Sequence, residues 1–204
     1  MSKDYEMIHF IQERAKDVDT KIVNALTRMF SRLEERHCYA SALSTSITLF
    51  LAIKFLQIEV EPKLILGTIQ YQGVSYPHAW LEIDEKIFDL ATYVDLKYHP
   101  VLQDRGLRLI NPQINISYED ASKEICYYPF QFGETWVMAN MSRLVGKTFA
   151  EYAENAPMFD IYVDVCYILE ESEIPENTDF LKEVAKLETI KDYDENGDLD
   201  MDKL

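Results

Sequence analysis

The chain has 204 residues, 48% of them apolar and 12% aromatic, enough to bury a substantial core as one domain. Its 20 Lys and Arg stand against 36 Asp and Glu, and the formal charge of -16 opposes a phosphate backbone, which excludes nucleic acid as an expected partner. The longest uncharged runs, His37 to Ile53 and Leu64 to Leu81, are too polar to span a bilayer and the second is broken by Gly and Pro, so no membrane is expected either.

Residues 4–35 read as two helices, with Ile8, Ile11 and Ala15 on one apolar stripe and Ile22, Ala25, Leu26, Met29, Phe30 and Leu33 on a second at helical spacing. Asp19 or Thr20 is placed to cap the second. CYASALSTSITLFLAIKFLQ has no Gly or Pro and is apolar almost all round, the pattern of a buried central helix. VEPKLILGTIQYQ, SYPHAWLEI and KIFDLATY are rich in β-branched and aromatic residues and separated by QG and DE turns, which predicts consecutive antiparallel strands. Residues 94–117 read as loop, with Pro100 and Pro112 as breakers. Helices are expected over 134–153 and 177–190, the latter capped by Asn177 or Thr178, and FDIYVDVCYIL between them fits either a strand or a buried helix. One domain is expected over 1–190, followed by a disordered acidic tail over 191–204.

The N-terminal MSKDYEMIHF lacks an apolar signal core, and Cys38, Cys126 and Cys166 are odd in number and widely spaced, fitting neither a disulfide framework nor a closed zinc site. A reduced, cytoplasmic compartment is the expectation. Cys126 and Cys166, among apolar neighbours, read as core.

Cys38 is different because it stands where the charged LEERH segment gives way to the buried helix. A sulfur in the first turn of a helix and beside an imidazolium is stabilised as thiolate by the helix dipole and the ion pair. His37, adjacent in sequence, cannot readily share a helical face with it, so the base must come from elsewhere. If Asp84 and Glu85 form a two-residue hairpin loop, Ile83 opposes Lys86, and His78 and Asp89 fall on one face as diagonal neighbours about 7 to 8 Å apart, within reach of each other's side chains. Glu85 is the weak point of that turn, where a type I′ loop favours Gly or Asn. With this parity, Asp89 fixes the tautomer, His78 takes the thiol proton, and Cys38 attacks a carbonyl to form a thioester. Such chemistry needs no cofactor or metal. Trp80 shares the His78 face by alternation and reads as core or cleft wall; it and His37 are the candidate substrate-cleft residues.

A cysteine heading a buried helix, a strand ending in glycine (VEPKLILG), then HAWLEI, then IFDLATY resembles the transglutaminase-like branch of the papain-like cysteine fold over roughly residues 36–93. Carried over by motif, Cys38, His78 and Asp89 match its nucleophile, base and orienting acid. The resemblance implies an α+β fold with a buried central helix on an antiparallel sheet. It also implies a cysteine hydrolase acting on an amide or peptide bond, or an acyltransferase of transglutaminase or N-acyltransferase type, whose substrate is a peptide, a protein or a small amide. The alternative is a non-catalytic binding or assembly protein on the same fold with an idle triad. The chain departs from the family at Arg36 and His37, where a glycine often precedes the cysteine, at the D-E turn, and at Asp89-Leu90-Ala91-Thr92.

Asp192, Asp194, Asn196, Gly197, Asp198 and Asp200 fall at calcium-loop positions 1, 3, 5, 6, 7 and 9 of DYDENGDLDMDK, but Lys203 stands where a bidentate Glu is needed. A solvated acidic tail is the expectation there.

Overall fold

Helical periodicity builds the first layer. The computed structural model describes residues 3–56, 58–129, 144–156, 160–169 and 178–190, and opens with α1 (Lys3–Arg14) and α2 (Thr20–Arg36). Asp19 caps α2, its carboxylate accepting the Lys21 N–H at 2.8 Å. The expected stripe from Ile22 to Leu33 is buried. α3 (Ala42–Phe55) is buried without a break from Ala42 through Ile53, so it must be enclosed on every side.

A five-stranded antiparallel sheet supplies part of that enclosure. It contains β1 (Lys63–Tyr71), β2 (Val74–Ile83), β3 (Lys86–Asp89), β4 (Gln113–Ser117) and β5 (Cys126–Pro129), in the order β4-β3-β2-β1-β5. The structure is therefore mixed α+β. Strand alternation gives the sheet two dry faces. Leu64, Leu66, Ala79, Leu81 and Ile83 join the core that includes α2 and α3, while Ile65, Ile69, Trp80, Ile87 and Tyr127 form a second cluster. Gly67 makes room for the second: a Cβ there would lie 2.7 Å from the Trp80 ring and 2.4 Å from the Tyr128 carbonyl oxygen.

The β2–β3 hairpin has the expected two-residue loop. Ile83 pairs with Lys86, and Asp84 and Glu85 both take positive φ, 50° and 61°, the sign that a type I′ turn requires. Pairing continues only to Leu81 and Phe88. Beyond that point β3 ends and α4 (Ala91–Tyr98) begins, where the sequence pattern suggested that the strand would run on. The cause is local: the Asp89 carboxylate accepts the Thr92 N–H at 3.1 Å, and this cap-like bond outweighs the strand preference of the residues after it.

The segment expected as loop holds more order than its composition suggests. After α4, Pro100 opens the short helix α5 (Pro100–Asp104), using its fixed φ at the first position. β4 follows, its alternation obscured by Asn115 at φ 52° and by a register shift opposite Ile87 and Phe88. α6 (Tyr118–Ala121), β5, α7 (Phe149–Ala153), α8 (Ile161–Ile168) and α9 (Thr178–Leu187) complete the described elements. Within FDIYVDVCYIL, Ile161–Ile168 is helix, capped by Asp160, and Asp164 is buried in ion pairs with Arg32 at 3.0 Å and Arg36 at 2.7 Å. Cys126 and Cys166 are half-buried and not fully in the core. The helix expected over 134–143, the Asn177 cap and the acidic tail with Asp192, Asp194, Asn196, Asp198 and Asp200 lie outside the described residues. Among the described residues no helix is long and apolar enough to cross a membrane.

Glu85 holds a left-handed backbone without the freedom of glycine, at a cost of about 1 kcal/mol. Glu85→Gly is expected to raise stability by about 0.5 to 1 kcal/mol in urea denaturation. A loss of stability would mean that the Glu85 side chain makes a compensating contact.

Candidate functional site

Three segments meet at His78: β2, which carries it, the end of β3, and the first turns of α4, which also hold the turn between α2 and α3 through Asp95. His78 is 1% exposed and Asp89 2%. The hairpin parity puts both side chains on the Trp80 face, and His78 Nε2 lies 2.9 Å from Asp89 Oδ2. Asp89 Oδ2 also accepts the Tyr127 hydroxyl at 2.7 Å and the Thr92 hydroxyl, while Oδ1 takes the Thr92 N–H. Thr92 Oγ1 is in turn 3.0 Å from His78 Nε2.

Every neighbour of the Asp89 carboxylate is a donor, which sets its charge state. Burial works against ionisation, but His78, Thr92 and Tyr127 overcome it and hold the Asp89 carboxyl below its ordinary value. Burial likewise opposes the imidazolium, and the carboxylates of Asp89 and Asp95 overcome it, raising the His78 pKa. With Nε2–H donating to Asp89, the neutral ring leaves Nδ1 as its basic nitrogen. Nδ1 is buried and, among the described residues, has no hydrogen-bond partner; Asp95 Oδ2 lies 3.9 Å away.

Asp95, Thr92 and Tyr127 were not anticipated from the sequence. Asp95 is 4% exposed, and its Oδ1 accepts the Ala40 N–H at 2.6 Å. Burial pushes its carboxyl up to about 6, against the pull of His78 and of the Ala40 and Ser41 N–H groups. A signal was present, since Asp89, Thr92 and Asp95 recur every three residues, the spacing that keeps side chains together when a helix starts. Nothing comparable marks Tyr127, which arrives on a distant strand.

The structure brings His78 and Asp89 together but not Cys38 with either. Cys38 was expected in the first turn of the buried helix; instead Ser41 is the N-cap of α3 and Cys38 lies three residues before it. Its N–H closes α2 by donating to the Leu33 carbonyl at 3.2 Å, and left-handed residues flank it, His37 at φ 50° and Ala40 at φ 52°. Asp95, by accepting at Ala40, holds the segment out of the helix. α3 also packs on the face opposite His78, Ser46 Oγ donating to the Ala79 carbonyl at 3.2 Å. The Cys38 sulfur is buried, 3% exposed, and burial pushes its thiol up while Arg36 and Arg32 pull it down and Asp164 opposes them. The helix-dipole activation expected for it is absent in this arrangement.

Trp80 is a core residue and not a cleft wall. It is 0% exposed, its Nε1–H donates to the Tyr118 hydroxyl at 3.0 Å, and its ring meets Tyr127 edge-on at 4.9 Å. His37 does line a cleft, of about 410 Å³, with Ser31, Glu34, Glu35, Lys97 and Tyr98. Among the described residues no three His, Cys, Asp or Glu side chains form a group suited to a metal ion.

No family model matches the chain, no curated protein matches its sequence, and no solved structure matches its fold.

The buried pair gives a stability prediction with a definite pH form. The His78 contribution is complete below its ordinary value of 6.5 and is lost as pH rises through its raised folded value. The Asp89 contribution is present above 3.8 and is lost as pH falls through its lowered folded value. Asp89→Asn is therefore expected to cost about 3 kcal/mol between those limits, with the deficit shrinking on either side, in urea denaturation across pH. A deficit independent of pH would contradict an ion pair here.

Proposed function

We propose that this chain is a cysteine-dependent acyl-transfer enzyme of the transglutaminase-like, papain-like type, hydrolysing an amide or peptide bond through a Cys38 thioester. His78 is its base and Asp89 its orienting acid. The observation that carries the reading is the buried His78 imidazole, held at Nε2 by Asp89, with Nδ1 unpartnered among the described residues on the side of the turn that bears Cys38. The order of elements supports it too, with a buried α3 followed by the hairpin that carries the dyad.

In the reaction, Nδ1 takes the thiol proton and the thiolate attacks the carbonyl carbon. The carbon–nitrogen bond breaks as the imidazolium returns the proton to the departing amine, leaving a thioester. Water, deprotonated by Nδ1, then releases the acid and frees the thiol. An amine in place of water makes the same site a transferase. Hydrolysis is preferred because water is always present and the sequence marks no acceptor site. The cleft lined by His37 adjoins Cys38 in the chain and offers a place for a peptide, a protein segment or a small amide. Reaction requires the 37–41 turn to carry the sulfur toward Nδ1, and its two left-handed residues, His37 and Ala40, make it a strained segment suited to rearrange.

A second reading, a binding or assembly protein with an idle triad, draws on one observation: the buried sulfur senses Arg36, Arg32 and Asp164 and not the dyad.

Iodoacetamide alkylation of Cys38, followed by mass spectrometry from pH 5 to 9, separates the two. The enzyme reading expects faster reaction at neutral pH than a free thiol such as N-acetylcysteine shows, and at least a tenfold drop in His78→Gln. Slow alkylation that is unchanged in His78→Gln would favour the idle triad.

A further inference from the structure

A second buried carboxylate stands on the other side of His78, and the dyad chemistry makes no use of it. Asp95 lies on the inward face of α4, two turns beyond Asp89 and one beyond Thr92. One oxygen is 3.9 Å from His78 Nδ1; the other accepts the Ala40 N–H at 2.6 Å. A single carboxylate thus spans from the imidazole to the turn that carries Cys38. The titratable groups around it are His78 and Tyr76 of β2 and Asp89 of β3, with Tyr127 of β5 behind Asp89; the 38–41 turn contributes uncharged N–H groups. The Tyr76 hydroxyl is buried and, like Nδ1, lacks a hydrogen-bond partner among the described residues.

We propose that Asp95 is a positioning residue of the site, clamping the Cys38-bearing turn to the Nδ1 side of His78 and stabilising the imidazolium there as Asp89 does at Nε2. Its catalytic meaning rests on the enzyme reading, because the imidazolium is the species formed when His78 accepts the thiol proton. Its structural half stands independently. The clamp has a natural pH limit: burial pushes Asp95 up to about 6, and below that value its charge is lost and the grip on both partners weakens.

Asp95→Asn and Asp95→Ala divide the two halves. Asn keeps an acceptor for the Ala40 N–H but has no charge, whereas Ala removes both. The readouts are the His78 ring titration in long-range proton–nitrogen NMR spectra, assigned with His78→Gln, and amide exchange at Ala40. The expected results are a His78 titration moved to lower pH in Asp95→Asn with Ala40 still protected, and Ala40 exchange roughly tenfold faster in Asp95→Ala. A purely structural role would leave the Asn titration on the wild-type curve, and that result overturns the proposal. Unchanged Ala40 exchange in a folded Asp95→Ala variant overturns it as well; should that variant fail to fold, the Asn titration still decides. Cys38 alkylation on the same proteins keeps the two claims apart. If the His78 titration moves while alkylation ignores His78→Gln, the enzyme reading falls and the clamp stands. If the titration does not move, the clamp falls whatever Cys38 does.

Discussion

The hydrogen bond from His78 Nε2 to Asp89 Oδ2 is the joint on which the rest of the site depends. It requires an even-length hairpin, since adding or removing one loop residue would turn the two side chains to opposite faces of the sheet. It requires β3 to stop at Asp89, so that α4 can start there and swing Thr92 and Asp95 back over the uncovered part of β2. It also requires β5 on the far side of the sheet, because Tyr127 supplies the last donor to the carboxylate. Three non-consecutive pieces of chain therefore meet at one pair of atoms, and none of their polar groups is affordable in a dry interior without the others.

The electrostatics follow from that enclosure. Two carboxylates flank one imidazole, and their surroundings push them apart: donors surround Asp89 and keep it low, while burial dominates at Asp95 and lifts it to about 6. Of the three groups it is Asp95 whose charge responds to mildly acidic pH, while His78, raised by both carboxylates, keeps its proton there. Cys38 lies beyond that field in the arrangement described, under the influence of Arg32, Arg36 and Asp164. The turn from His37 to Ser41 is thus the segment whose position decides whether the three groups act as one.

Much of this was legible in the sequence, and the failures have identifiable causes. The stripes of α1 and α2, the buried α3 and the β1–β2–β3 meander follow from periodicity, and the parity of His78 and Asp89 follows from one two-residue loop. The Asp84-Glu85 turn forms in spite of its missing glycine, because the ladder on either side imposes the backbone that the loop residues disfavour. Cys38 lies about one helical turn before the helix that its sequence suggests it heads: tertiary bonding from Asp95 to Ala40 sets the start of α3, and no local signal in CYASALS reports it. For Trp80 alternation alone fits core and cleft wall equally, and it is Gly67, Tyr118 and Tyr127, from other strands and a helix, that enclose it. β4 and β5 went unseen because a bulge and a left-handed Asn115 break the alternation of one and the other is four residues long.

The central claim is that His78 serves Cys38, and the most direct measurement compares the nitrogen shifts of the His78 ring across pH in the wild-type protein and in Cys38→Ser. The expected result is a ring that, above its raised titration, is neutral with the proton at Nε2 and none at Nδ1, and whose titration changes when the thiol is replaced. A ring protonated at Nδ1, or one that titrates identically with and without the thiol, would contradict it and leave His78 and Asp89 as a structural pair.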